Sequence, residues 1–277
     1  MFAINHCTIT PVRLEPSESS EQLTQLLFGE LCEVLDTLPR WTKIRSTVDG
    51  QEGWVDFKMV TTLPSHLSPI TSNLSPLTSH LSPITSPIAI ATSMEDGQEL
   101  MLTLGTRLPN YSHGTFEVLD KQYIIDPAYV TSPIAHSPSP IANSQSPIAH
   151  LISAAKSLLN APYLWGGKNV MGIDCSGFTQ VVYATVGVNL LRNAREQITQ
   201  GAKVRSLQQA LPGDLVFFDH ADRDPNATNI SHVGMLLSPT EVIHCSGNVH
   251  IDYIDEQGIH LPDGTLTHHL VQINRYI

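Results

Sequence analysis

Apolar residues recur at helical spacing in two places in the last half of the chain and fall in short alternating or continuous runs elsewhere. Leu151, Ile152, Ala155, Leu158 and Leu159 form one helical stripe, which stops near Asn160, ahead of Pro162. Phe178, Val181, Val182 and Val186 form the second and predict a helix over 178–188. The turn before it, Gly172-Ile173-Asp174-Cys175-Ser176-Gly177, puts Asp174 in an N-cap position and Cys175 on the first turn. Tyr163-Leu164-Trp165-Gly166-Gly167 reads as a strand running into a turn. After the second helix, Leu211-Pro212-Gly213-Asp214 signals a turn, and the apolar run 215–218 fits a buried strand. Two more strands are predicted at 231–237, carrying His232, and at 241–245, carrying His244.

The first 62 residues have a different texture. Short runs at 8–14, 31–35, 42–44 and 53–55 lie between turn-rich segments, as in a small β-barrel. Pro11-Val12-Arg13, Leu27-Phe28-Gly29-Glu30, Trp41-Thr42-Lys43-Ile44-Arg45 and Gly53-Trp54-Val55 together resemble the bacterial SH3-like domain. Trp41 and Trp54 are expected to anchor its core, with a ligand platform as the alternative. Over 63–93 a seven-residue repeat takes over (Leu67-Ser68-Pro69-Ile70, Leu74-Ser75-Pro76-Leu77, Leu81-Ser82-Pro83-Ile84). It returns over 131–147 as Ser132-Pro133-Ile134-Ala135, Ser139-Pro140-Ile141-Ala142 and Ser146-Pro147-Ile148-Ala149. Regular prolines block helix propagation and remove ladder donors, so both stretches are expected to be solvated linkers, with proline-dependent docking as the other reading. Between them, 94–130 carries alternating runs at 99–104, 115–119 and 122–125, read as a second small SH3-like unit. Residues 148–277 form the catalytic candidate.

Composition narrows the function. A chain of 277 residues with 41% hydrophobic content can bury real cores, and a formal charge of -11 lacks the basic footprint that phosphate backbones need. No nucleic-acid partner is expected. The start of the chain shows no secretory pattern and nothing approaches a membrane span, so a cytoplasmic protein without membrane contact is expected. Cys7, Cys32, Cys175 and Cys245 show no paired spacing and are expected to be reduced.

Cys175 carries the chemistry. A thiol at a helix N-terminus meets unpaired amides and the positive end of the macrodipole, which predicts a lowered pKa. The plain alternative is a small buried hydrophobe. A cysteine nucleophile needs a base, for which His232 is the candidate, and the base needs an orienting partner, for which His244 is the candidate. A hairpin centred on Ser238 would set the two histidines directly opposite each other. A metal site built from His232, His244, Cys245 and His250 is the rival, but that spacing is not a helical zinc motif and would leave Cys175 idle. No metal or cofactor is expected. His66, His80, His113, His136, His150, His268 and His269 are read as surface decoration.

Asp174-Cys175-Ser176-Gly177-Phe178, Leu211-Pro212-Gly213-Asp214-Leu215, Ser231-His232-Val233-Gly234-Met235 and Ile243-His244-Cys245-Ser246-Gly247 together resemble the NlpC family of cell-wall cysteine peptidases. The resemblance covers about 148–277 and implies an α+β, papain-like fold: a helix bearing the nucleophile against an antiparallel sheet bearing the histidines. By position it implies Cys175 as nucleophile, His232 as base, His244 as orienter, Tyr163 lining the site, and Asp174 and Ser176 contributing to substrate recognition. Paired SH3-like domains ahead of such a domain resemble its murein-recycling members. The implied reaction is hydrolysis of the γ-D-glutamyl bond to the diamino acid in L-Ala-γ-D-Glu-meso-diaminopimelate. The free L-Ala amine would then need an acidic residue, for which Glu30 is the candidate. Gln51 stands where related sequences often carry tyrosine, which leaves amine recognition open to change. An acyltransferase or amidase with the same triad, and a non-catalytic peptidoglycan-binding protein, are the alternatives.

Overall fold

The computed structural model describes residues 1–64, 81–131, 146–220 and 229–277. The first unit consists of β1 (Phe2–Asn5), β2 (Ile9–Arg13), β3 (Gln22–Leu27), β4 (Leu31–Thr37), β5 (Trp41–Ser46), β6 (Glu52–Asp56) and β7 (Val60–Thr62). They form one antiparallel sheet in the order β3-β2-β6-β5-β4-β1-β7. Alternation in the strands puts Ala3, Val12, Leu26, Cys32, Ile44 and Val55 inside. Trp41 and Trp54 are only half-buried and stand outside that cluster, so the expectation that they anchor the core is corrected. A Cβ on Gly53, beside Trp54, would lie 2.6 Å from Val12 Cγ1, which is why the barrel needs glycine there.

The second unit begins earlier than residue 94. β8 (Ser82–Pro83) and β9 (Ile88–Ser93) come out of the end of the first proline repeat, followed by β10 (Glu99–Thr103), β11 (Arg107–Leu108), β12 (Thr115–Val118) and β13 (Lys121–Ile125). Four of these pair as β10-β9-β13-β12, and β8 pairs with β11. The third repeat copy is thus structural: Ser82 and Ile84 are buried, and two-residue β8 tolerates Pro83 because it is short and marginal. The other two copies, and most of the 131–147 stretch, lie outside the described residues. The two units share a core in which Ile4, Phe28 and Leu31 pack against Leu102, Phe116 and Ile125.

The third unit holds helix α1 (Pro147–Ser157), the short hairpin β14 (Lys168–Asn169) and β15 (Gly172–Ile173), α2 (Cys175–Ala184) and the single turn α3 (Ala194–Gln197). Ser146 caps α1 by accepting from Ala149 N, and Pro147 sits at its first position, where a missing N–H costs nothing. One copy of the Ser-Pro-Ile-Ala repeat is therefore a helix start. Then follow β16 (Ala202–Val204), β17 (Leu215–His220), β18 (His232–Ser238), β19 (Glu241–Ser246), β20 (Asn248–Ile254), β21 (Gly258–His260) and β22 (Leu266–Arg275). The sheet order is β16-β22-β17-β18-β19-β20-β21, and β21 pairs back onto β22. The predicted sheet therefore curls and closes, and β17 is apolar on both faces for that reason. Val216 and Phe218 join Leu236, Val242 and Ile259 in one cluster; Leu215 and Phe217 join Val233, Met235 and the helices in the other. Every residue of α2 is buried, and Leu27, at the end of β3, belongs to the same cluster as α2. The molecule is mostly sheet with few helices.

Candidate active site

Helix α2 begins three residues before its apolar stripe, with Cys175 as its first residue. Asp174 caps it, accepting from Gly177 N at 2.7 Å through Oδ1, while Oδ2 accepts from Gly166 N at 2.8 Å. The loop 164–167 is thereby pinned to the helix N-terminus, so closely that a Cβ on Gly177 would collide with Gly167 O. This is the physical content of the Asp-Cys-Ser-Gly order.

Arg192 completes the arrangement. Its guanidinium is buried and donates to Asp174 Oδ1 at 3.1 Å, Asp174 Oδ2 at 2.5 Å, Ser176 Oγ at 2.8 Å and Thr24 Oγ1 at 2.8 Å. Asp174 and Ser176 are thus both buried and engaged by one cation, holding the nucleophile's helix to the first unit. Nothing in the local sequence marked Arg192; only its sequence distance from Asp174 is fixed, and the fold closes it.

The thiol lies against β18, where the backbone N–H of Val233 reaches the sulfur. Burial pushes Cys175 up to about 12; the Asp174 charge adds to this, and the N–H groups of Val233 and Ser176 and the Arg192 charge oppose it. The lowered pKa predicted from helix position alone is reversed, because desolvation exceeds the dipole.

The hairpin register differs from the symmetric one predicted. His244 pairs with Gly234, not with His232, and a bulge lies between Leu236 and Ser238. The two imidazoles stand diagonally on the same face and still meet, His232 Nε2 to His244 Nδ1 at 2.8 Å. Gly234 makes this possible: a Cβ there would come within 2.6 Å of Val242 Cγ2 and 3.0 Å of His244 Cβ. His244 is 1% exposed, and its Nε2 lies 3.2 Å from Asp252 Oδ2 on β20. That carboxyl is held below its usual range, mainly by the hydrogen bond from His244, so it is ionised at neutral pH and can only accept. The polarity follows. His244 donates from Nε2 to Asp252 and accepts at Nδ1 from His232 Nε2–H, which leaves the His232 Nδ1 position without the ring's proton. Asp252 was not predicted, although Val249, Ile251 and Tyr253 alternate with Asn248, His250 and Asp252 along its strand, a period-two signal that could have placed it.

Two other residues fall differently from expectation. His268, read as decoration, is buried on β22 with its ring 4.6 Å from that of His232. Glu30 is remote: it accepts from Lys168 Nζ at 3.4 Å and Leu27 N at 3.1 Å, in a cavity also lined by Arg107, Gln180 and Ala184 near the far end of α2. Glu21 of the first unit is the acidic residue at the site's edge, accepting from Nε1 of the exposed Trp165 at 2.8 Å. Tyr163 is partly exposed and close enough for the Cys175 charge to add to the burial that raises its phenol. Cys245 is buried with Sγ donating to Ile173 O at 3.2 Å, and all four cysteines are free.

A papain-like helix and histidine-bearing sheet behind an SH3-like barrel define the class. Residues 160–268 match the NlpC/P60 family model and residues 10–61 the bacterial SH3 domain model. The chain thus carries an NlpC/P60 domain preceded by a bacterial SH3 domain. Among relatives, the probable endopeptidase p60 of Listeria grayi is 38% identical over 109 residues, 39% of this chain and 20% of that protein. The gamma-D-glutamyl-L-lysine dipeptidyl-peptidase of Bacillus cereus is 35% identical over 94 residues, 34% of this chain and 27% of that protein. The chain thus spans a fifth to about a quarter of the length of these curated relatives. A crystal structure of an NlpC/P60 family protein from Bacillus cereus superposes with a TM-score of 0.77 at 21% identity, covering 100% of this chain and 99% of that one. The whole three-unit fold therefore recurs in a solved structure.

Proposed function

We propose that the protein is a cysteine peptidase that hydrolyses the γ-D-glutamyl to diamino acid bond of murein peptides such as L-Ala-γ-D-Glu-meso-diaminopimelate. The observation that carries this reading is the directed series Asp252, His244, His232, which ends on the strand whose next residue, Val233, gives its backbone N–H to a thiol at a helix N-terminus. His232 Nδ1 takes the thiol proton as sulfur attacks the γ-glutamyl carbonyl, and His244 and Asp252 stabilise the imidazolium that forms. The backbone N–H of Cys175, at the first helical position, binds the developing oxyanion. His232 then protonates the leaving amine, and water releases the acyl group.

Relatives named as dipeptidyl-peptidases and endopeptidases support the reaction class, and the gamma-D-glutamyl names support the bond. We read the 81–131 unit as a second SH3-like module that braces the first. In this reading the first unit closes the site over a free L-Ala amine, with Glu21 beside Trp165 taking the place first assigned to Glu30, and Tyr163 lining the pocket. A free-amine substrate is a released peptide, which fits recycling in the cytoplasm; among the described residues no helix is long and apolar enough to cross a membrane.

The test is mass-spectrometric product analysis with L-Ala-γ-D-Glu-meso-diaminopimelate, its lysine counterpart and the N-acetylated peptide. Cleavage restricted to free-amine peptides, abolished by Cys175→Ala, is expected. Cleavage of the acetylated peptide as well refutes the amine requirement, and retained activity in Cys175→Ala refutes the nucleophile.

A further inference from the structure

β3 is an edge strand: it pairs with β2 on one side, and among the described residues no strand pairs with the other. Thr24, Gln25, Leu26 and Leu27 are nevertheless all buried, so both faces of that edge are covered. Part of the cover is the segment that leads to the nucleophile. A Cβ on Gly166 would lie 2.5 Å from Gln22 O, and Gln22 Nε2 donates to Trp165 O at 3.2 Å. Gln25 makes the buried polar contact. Its Oε1 accepts two hydrogen bonds from the β14–β15 hairpin, one from Lys168 N at 2.8 Å and one from Asn169 Nδ2 at 2.9 Å. The surroundings fix both amide orientations. Met171 N donates to Asn169 Oδ1 at 2.8 Å, so Asn169 turns its Nδ2 to Gln25, and two converging donors require the Gln25 oxygen between them. Gln25, Lys168 and Asn169 are 6%, 3% and 4% exposed, so neither donor has bulk water to turn to. Lys168 is held to the barrel at its other end as well, Nζ to Glu30 Oε1 at 3.4 Å. From the hairpin the connection runs to the site. Lys168 pairs with Ile173, Ile173 O accepts from Leu164 N at 3.1 Å, and Gly166 N donates to Asp174, the cap of the helix that begins at Cys175.

We propose that Gln25 is a positioning residue of the peptidase: it sets the 168–173 hairpin, and with it the first turn of α2, so that the barrel supplies part of the catalytic frame. Gln25 acts through the hairpin and not on the reacting atoms. The structural half of this claim stands on the hydrogen bonds, whereas the effect on turnover rests on the proposed function. Without the acceptor, two buried donors lose their partner, and the hairpin has to shift or open to hydrate them. A misplacement on the order of 1 Å can cost about 10²-fold in rate. The loss falls on kcat more than on KM, because the geometry disturbed is that of sulfur and oxyanion amide in the attacking step.

The experiment compares three full-chain variants. Gln25→Met keeps the side chain's bulk and removes the acceptor, Gln25→Glu keeps an acceptor for both donors, and Ile44→Val trims the barrel core as a control for lost stability alone. With the murein tripeptide, Gln25→Met should lower kcat by about 10- to 10²-fold while KM changes by less than about threefold. Gln25→Glu should restore most of that kcat, and Ile44→Val should leave it unchanged. Amide hydrogen exchange read by mass spectrometry needs no turnover. There, residues 166–177 should exchange at least about tenfold faster in Gln25→Met than in Ile44→Val, with β4 and β5 equally protected in both. Gln25→Asn, too short to reach both donors, serves if the methionine variant does not fold. A normal kcat in Gln25→Met, a change confined to KM, no recovery in Gln25→Glu, or unaltered protection of 166–177 overturns the proposal. A wild type that leaves the tripeptide intact refutes the substrate assignment instead, and the exchange comparison then decides the positioning claim by itself.

Discussion

Arg192 is where stability and site geometry meet, and replacing it gives a sharp test. Its four hydrogen bonds include two to Asp174, and Arg192→Leu removes them while filling the space with apolar volume. Asp174 remains buried and charged, with Gly166 N, Gly177 N and Ser176 Oγ as its remaining partners. Removing one partner of a buried ion pair costs about 3–5 kcal/mol, much of it from the charge left behind. For a unit of this size about 4 °C is lost per kcal/mol, so the catalytic unit should melt on the order of 12–20 °C lower. The double variant Arg192→Leu/Asp174→Asn keeps a good N-cap without the stranded charge, and should recover about half of that loss. Calorimetric melting of wild type, both single variants and the double variant completes the cycle. A fall of under ~4 °C for Arg192→Leu, or a double variant as unstable as the two single losses summed, would refute the view that the cation neutralises a buried carboxylate.

Three further outcomes follow from the relay. Gly234→Ala should lower kcat by on the order of 10²-fold, because its Cβ displaces His244; near-normal turnover would show that the diagonal contact is not what sets the imidazoles. Asp252→Asn removes the charge and presents His244 Nε2 with an amide that can donate as well as accept, so the direction of the relay is no longer fixed; kcat should fall by roughly 10²–10⁴-fold while KM moves little, and a change confined to KM would sink the tautomer argument. Burial holds His244 below its ordinary pKa of 6.5, so the unfolded chain takes up that proton first and stability is lost as pH falls below about 6.5. Asp252, also lowered, adds its loss only below about 4. The melting temperature of wild type should therefore drop more than that of His244→Asn between pH 8 and pH 5, and parallel curves would contradict this.

The parts of the site that could be read in sequence are those with short-range causes. Asp174 and Cys175 are adjacent, so a cap and a first helical residue follow from local preference alone. His232 and His244 share a hairpin, so their meeting needed only two strands and a turn; the two-residue error in register came from a bulge, which a period-two pattern does not show. Arg192, Asp252 and His268 reach the site through pairings fixed by closure of the sheet and docking of the first unit. Glu30 failed for the same reason: its motif located a strand end in the barrel but not which edge of the barrel faces Cys175. The proline repeat misled in the other direction. Ser-Pro-Ile reads as linker in isolation, yet Ser146-Pro147 is a helix cap and Ser82-Pro83 a strand, because the first position of a helix and a marginal two-residue pairing both tolerate a residue without an N–H.

The direction of the shift at Cys175 bears on how the buried thiol becomes a nucleophile. Raising Cys175 from 9.0 to about 12 corresponds to about 4 kcal/mol against the thiolate. A helix N-terminus returns at most ~2 kcal/mol in a favourable, partly buried geometry. The dipole therefore does not offset burial, which favours the neutral thiol in the free protein. The missing stabilisation has to arrive with proton transfer itself. In the proposed mechanism Asp252 and His244 provide it at a distance, since a carboxylate that can only accept fixes the direction of the two hydrogen bonds behind His232 and stabilises the imidazolium as it forms. In the proposed mechanism the nucleophile is thus generated in the attacking step, and its reactivity is governed by His232 and the two residues behind it more than by the helix on which the cysteine sits.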